Sequence, residues 1–137
     1  MQSILLLDDD VLTRWVMGDA LRDAGYAVID VSSGAEAVEL IDAAAKFDLL
    51  VTDVNLPGAL SGMDVVAQWR DVLPQQSIIY ASGDSLAIHG TLLEREYFLQ
   101  KPFSSDMLLR TVESALQSGP AGQAATPVWS STCKAYA

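Results

Sequence analysis

Phe47-Asp48-Leu49-Leu50-Val51-Thr52-Asp53 is an apolar run that ends in a carboxylate, and the turn Asn55-Leu56-Pro57-Gly58 follows at once. Such a run reads as a buried strand, which puts Asp53 on the rim of a sheet. Three more runs share this design. Ile4-Leu5-Leu6-Leu7 ends in Asp8, Asp9 and Asp10. Ser77-Ile78-Ile79-Tyr80-Ala81 ends in Ser82-Gly83, and Tyr97-Phe98-Leu99-Gln100 ends in Lys101-Pro102. An open parallel sheet binds ligands outside the carboxyl ends of its strands. One rim therefore collects carboxylates, a hydroxyl and an ammonium.

Helical stretches separate the runs. Asp10 is a plausible N-cap for a helix over Val11–Ala24, with an apolar face of Leu12, Trp15, Val16, Ala20 and Leu21 and a stop at Gly25. A short strand, Ala27–Val31, comes next. Ser33 and Glu36 form a capping-box pattern ahead of a helix reaching about Ala45. A third helix spans about Met63–Leu73 and stops before Pro74. Asp84–Arg95 is the weakest helical stretch, because Gly90 interrupts it. Ser104 or Ser105 caps a last helix to about Ser118, which Gly119 ends. This alternation predicts an α/β fold: a flavodoxin-like, doubly wound, five-stranded parallel sheet of order 2-1-3-4-5, with right-handed crossovers and helices on both faces.

At 137 residues, half of them hydrophobic, the chain suits one domain over 1–118. Residues 119–137 hold Gly119, Pro120, Gly122 and Pro127 without any period and read as a flexible C-terminal tail, in which Trp129 and Tyr136 are unusual. No stretch is long enough to span a membrane, and the first strand begins too early for a signal peptide. Cys133, the single cysteine, has no internal partner. These features favour a cytoplasmic location. The net charge of −10 disfavours direct binding to nucleic acid or anionic lipid. It mostly serves solubility; the exception is the strand-end carboxylates, whose convergence calls for a cation.

Asp8-Asp9, Asp53, Ser82-Gly83 and Lys101-Pro102-Phe103, each at a strand end and in this order, together resemble the receiver domain of bacterial two-component response regulators. The resemblance covers about Ser3–Ser118. It implies that Asp53 is the phospho-acceptor, a carboxylate nucleophile attacking a phosphohistidine on a histidine kinase or histidine phosphotransfer protein. It implies Mg²⁺ as cofactor, held by Asp9, Asp53 and the carbonyl of Asn55, with Asp8 acting mostly through water. Lys101 would pair with one phosphate oxygen and Ser82 would donate its hydroxyl to another. Ser82 and Phe98 would form the switch, Phe98 standing where a tyrosine is often found. Asn55 and Asp84 would tune hydrolysis of the acyl phosphate. Lys101-Pro102 is expected to be cis.

Two departures stand out. The loop Asn55–Gly62 is one residue longer than in many receivers. The stretch between Ser82 and Lys101 is shorter and lacks the Gly-Ala turn before the last strand, so the fourth helix is expected to be short or mobile. His89, within it, reads as a solvent-facing side chain. Beyond assisting its own phosphorylation and dephosphorylation, the chain is not expected to be an enzyme. It is expected to be a monomer or weak dimer acting on an unnamed protein target. One alternative is a C-terminal receiver cut from a hybrid histidine kinase. A Mg²⁺-dependent aspartyl-nucleophile phosphatase is disfavoured, because Asn55 stands where that chemistry needs an acid. A receiver signalling without phosphate is opposed by the full set Asp8, Asp9, Asp53, Ser82 and Lys101.

Overall fold

The computed structural model describes residues 2–43, 46–54, 56, 58–83, 92 and 94–117. Among the described residues the element order is β1 (Ser3–Leu7), α1 (Val11–Asp23), β2 (Ala27–Val31), α2 (Gly34–Asp42), β3 (Leu49–Thr52), α3 (Gly62–Val72), β4 (Ser77–Ser82), β5 (Glu96–Gln100) and α4 (Ser105–Gln117). The sheet order is β2-β1-β3-β4-β5, and every pairing is parallel. This is the expected flavodoxin-like arrangement. Of the stretch Asp84–Arg95, where the weakest helix was expected, 84–91 and 93 lie outside the described residues and Glu94-Arg95 form a turn; the segment 118–137, Asn55 and His89 also lie outside them.

β1, β3 and β4 read as unbroken apolar runs because both faces of a parallel sheet are covered. Alternate residues feed two cores. Ile4, Leu6, Val51 and Ile79 pack with Met17 and Leu21 of α1 and Leu108 and Val112 of α4. Leu5, Leu7, Leu50 and Ile78 pack with Ile41 of α2 and with Val65 and Trp69 of α3. Phe47 meets Trp69 at 6.3 Å between ring centroids, tilted by 33°.

Helix ends follow the capping chemistry. The Asp10 carboxylate accepts from the Thr13 N–H at the head of α1, as expected. Gly25, at φ 101°, takes the left-handed turn that stops α1. At α2, Ser33 accepts from the Glu36 N–H, but Glu36 receives the hydroxyls of Ser32 and Ser33 instead of closing the expected box. The complete capping box lies at α3, where Ser61 and Asp64 satisfy each other's backbone N–H groups. Ser104 caps α4 by accepting from the Met107 N–H.

One sequence expectation is corrected. Of the expected apolar face of α1, Leu21 and Ala20 do meet the core, joined by Met17 and Gly18, whereas Leu12, Trp15 and Val16 are 67%, 66% and 47% exposed. Arg14 and Arg22, on one stripe of α1, both pair with Asp30 of β2, at 3.4 and 2.8 Å. With α1 in this rotation the 14/18/22 stripe overlies β2 and the 17/21 stripe reaches the core; the partly exposed ion pairs accompany that packing and are too weak to impose it.

Candidate phospho-acceptor site

The site is built where β1 and β3 end side by side. Leu7 pairs with Thr52, and the Asp53 N–H donates to the Leu7 carbonyl at 3.0 Å, so the ladder continues one step past β3 and holds the Asp53 backbone beside Asp8. The register pairing Thr52 with Tyr80 carries β4 past the level of Asp53 to Ser82, its last residue, which is 1% exposed. The Lys101 N–H donates to the Ser82 carbonyl at 2.8 Å, which ties the end of β5 to that of β4. The Lys101–Pro102 peptide is cis, as expected.

Lys101 reaches over the rim to both carboxylates. Its Nζ donates to Asp8 Oδ2 at 2.7 Å and to Asp53 Oδ2 at 3.0 Å. Asp8 is 1% exposed and its other oxygen accepts from the Asp10 N–H at 2.9 Å. Arg14 donates to the Asp8 carbonyl at 2.8 Å. A buried carboxylate with every oxygen engaged is what burial of charge demands. Burial pulls the Lys101 ammonium down, but its hydrogen bonds to Asp8 and Asp53 and their charges outweigh that and raise its pKa above the ordinary lysine value.

One carboxylate oxygen each from Asp8, Asp9 and Asp53 lies within 4.8 Å of the others, Asp8 buried, Asp53 half-buried and Asp9 exposed. Three hard oxygen donors around an open mouth fit a divalent cation of the magnesium type. Asn55 and Asp84 lie outside the described residues, so the carbonyl ligand and the hydrolysis-tuning pair stay as expectations. Phe98 is 6% exposed, three residues before Lys101. It pairs with Tyr80 and packs in the α2/α3 core.

Gly62 is a supporting residue that the sequence reading passed over as part of a turn. A Cβ there would stand 2.2 Å from the Asp53 carbonyl oxygen and 2.9 Å from Val54 Cα. The head of α3 is thus pressed against the backbone of Asp53. No local pattern announces this, since the contact spans a loop.

The comparisons agree with this geometry. The family model for the response regulator receiver domain matches residues 4–113, and the chain belongs to that family. The sensor kinase CckA of Brucella abortus is 31% identical over 119 residues, covering 84% of this chain and 12% of the kinase. A response regulator receiver protein from Sinorhizobium medicae has TM-score 0.80 and 33% identity, over 85% of this chain and 95% of that one. The response regulator TrrA of Thermotoga maritima, solved in complex with Mg²⁺–BeF, has TM-score 0.70 and 26% identity, over 85% of this chain and 100% of that one. The chain spans less than a third of the curated relatives that head the sequence matches, 12% to 31% of their length. It is a receiver domain of the two-component class.

Proposed function

We propose that this receiver accepts a phosphoryl group on Asp53 from a phosphohistidine of a histidine kinase or histidine phosphotransfer protein, and that the modification switches its contacts with another protein. The observation that carries this reading is the Lys101 ammonium held between Asp8 and Asp53 beside Asp9. Asp53 is the half-buried member of the trio and bonds Lys101 through Oδ2, at 13% side-chain exposure, so a nucleophile and a charge partner already share one rim.

Asp53 attacks the phosphorus in line; the P–N bond to the donor imidazole breaks, and its electron pair leaves with the ring nitrogen. Lys101 stabilises charge on the transferred group by moving from the carboxylate oxygen to a phosphoryl oxygen. Ser82 lies at the end of the neighbouring strand, within the fold's reach of a second oxygen. The residues fit Mg²⁺ on Asp8, Asp9 and Asp53, where the ion would offset the crowded negative charge that otherwise repels an anionic phosphoryl group. Asn55 through its carbonyl completes the proposed ligand set, and Asn55 and Asp84 govern access of water to the acyl phosphate. Residues 1–118 form the receiver and 119–137 an appended segment. No helix among the described residues is long and apolar enough to cross a membrane, and action in the cytoplasm, where the donor kinases present phosphohistidine, belongs to this reading.

A second reading is favoured by the likeness to CckA: the chain serves as the receiver of a hybrid kinase and passes its phosphoryl group along a relay. One experiment tests the shared chemistry. The protein is incubated with acetyl phosphate, with and without Mg²⁺, and its intact mass is read beside that of Asp53→Ala. A phosphate-sized adduct that needs both Mg²⁺ and Asp53 is expected. If neither acetyl phosphate nor a phosphorylated kinase yields an adduct on wild type, the acceptor role is rejected. Return of the label to a phosphotransfer protein's histidine separates the relay reading from a terminal switch.

A further inference from the structure

Arg14 stands in the first turn of α1, and its side chain turns back over the acidic pair. Helical side chains lean toward the N-terminus of their helix, which sends this one over the loop that joins β1 to α1. Its Nη1 donates to the Asp8 carbonyl at 2.8 Å, and its Nε faces Asp30 Oδ1 on β2 at 3.4 Å. Arg22 donates to the other Asp30 oxygen at 2.8 Å, so the carboxylate that orients the Arg14 guanidinium is itself held. The Arg14 backbone N–H closes the same loop by donating to the Asp10 carbonyl at 2.9 Å.

We propose that Arg14 is a positioning residue for the cation site: it pins the Asp8–Asp9 peptide and thereby sets where the Asp9 carboxylate stands. This role rests on the reading of Asp8, Asp9 and Asp53 as a Mg²⁺ site. A peptide unit is planar, so a donor that fixes the Asp8 carbonyl also fixes the Asp9 N–H and the direction in which Asp9 Cα departs. Asp8 has anchors of its own. Its N–H donates to the Val31 carbonyl at 3.2 Å, and its carboxylate accepts from Lys101 and from the Asp10 N–H. Asp9 is the exposed member of the trio, with no packing to place its side chain. Its carboxylate follows its backbone, and that backbone follows the guanidinium.

The partners of Arg14 separate positioning from charge neutralisation. Lys101 occupies one oxygen on each of Asp8 and Asp53. Arg14 occupies no oxygen of the trio's carboxylates: it bonds a backbone carbonyl and a carboxylate on the edge strand. The rigid fork of a guanidinium suits a residue that must hold two acceptors in a fixed relation. The pair with Asp30 has only to orient that fork, a task within reach of a partly exposed ion pair. The sign of the effect on metal binding follows. A cation beside a cation site repels the metal, so if Arg14 contributed charge alone, removing it would tighten Mg²⁺ binding. Positioning predicts weaker binding.

The ¹⁵N-labelled full chain is titrated with MgCl₂ and the Kd is read from amide shifts at the strand ends, for wild type, Arg14→Met, Arg14→Lys and Arg22→Met, with urea unfolding in parallel. Arg14→Met is expected to raise the Kd about 10-fold or more, the usual cost of losing a partner behind a metal ligand. Arg14→Lys keeps the charge but loses the fork and is expected to raise it by less. Arg22→Met removes the other cation on Asp30 without touching the Asp8 carbonyl, and is expected to lower stability and leave the Kd unchanged. Equal or tighter binding by Arg14→Met overturns the proposal. If that variant does not fold, wild-type affinity in Arg14→Lys overturns it instead. Weakening by Arg22→Met as large as that by the Arg14 variants also overturns it, since loosening of α1 would then explain both. The two readings fail differently: a wild type that binds no Mg²⁺ removes the cation site and this role with it, whereas an unmoved Kd in the Arg14 variants removes this role and leaves the site standing.

Discussion

Lys101 is the residue on which the site turns. It is the cation that hydrogen-bonds both Asp8 and Asp53, and Asp8 is 1% exposed. Replacing it by methionine keeps the stem but strands a buried carboxylate, the costly way to break an ion pair. Lys101→Met is expected to lower stability to urea by about 2–4 kcal/mol, short of the full cost of a dry pair because Lys101 is 22% exposed. Mg²⁺ should restore more stability to this variant than it adds to wild type, since it binds the folded carboxylate trio and not the unfolded chain. No Mg²⁺-dependent increment in either protein would refute the assignment of the trio as a cation site. Gly62 acts by absence. With a methyl group 2.2 Å from the Asp53 carbonyl oxygen, backbone must move. Gly62→Ala is expected to cost about 1–3 kcal/mol, the usual range for overpacking, and to shift the Asp53 amide resonance more than those of β1. An unmoved Asp53 amide would show that α3 absorbs the strain instead.

Among the elements, α1 separates what periodicity shows from what packing decides. Its sequence carries overlapping apolar stripes, and hydrophobicity alone favours the one through Leu12, Trp15 and Val16. The stripe through Met17 and Leu21 goes inward, where it packs with Leu108 and Val112 of α4, and Arg14 and Arg22 then lie over Asp30 on β2. Leu21, which both stripes share, is at 0% exposure and does the core work expected of it. Leu21→Ala is expected to destabilise by about 2–5 kcal/mol, read by urea unfolding, because it removes buried methyl groups and leaves a cavity. A loss below about 1 kcal/mol would mean that the inward stripe is misassigned. The strands, by contrast, were legible almost to the residue. β2 matches its expected limits, β1, β4 and β5 differ from the runs by one residue and β3 by two; for the central strands this is because a run buried on both faces has no alternative apolar register to choose.

Across the whole molecule, a buried polar network ties α3 to the sheet away from the acceptor site. The Tyr80 hydroxyl donates to Glu96 Oε2 at 2.9 Å, and Arg70 of α3 donates to the same oxygen. Burial pushes the Tyr80 phenol well above its ordinary value of 10.0, and the Glu96 carboxylate beside it adds to the rise. The neutral phenol is thus the form the fold prefers. Its contribution to stability is complete below about pH 10, where the unfolded phenol is also neutral, and is lost as pH climbs from there towards the folded value. Stability is expected to fall between about pH 10 and 12 in wild type and to fall less in Tyr80→Phe, as thermal melts across that window would show. Identical slopes would remove Tyr80 as the source.

By itself, the sequence determined the parallel α/β order, the strand ends that carry Asp8, Asp9, Asp53, Ser82 and Lys101, and the receiver family those residues resemble. Each of these is local information: an apolar run, the group that terminates it, and the helix that must cross back. Tertiary structure alone decided that Lys101 bridges Asp8 and Asp53, that Gly62 abuts the acceptor's backbone, that Tyr80, Glu96 and Arg70 share a buried network, and which face of α1 meets water. Those outcomes join residues up to 93 positions apart. They depend on distances and rotations that exist only once the two cores have packed against the sheet.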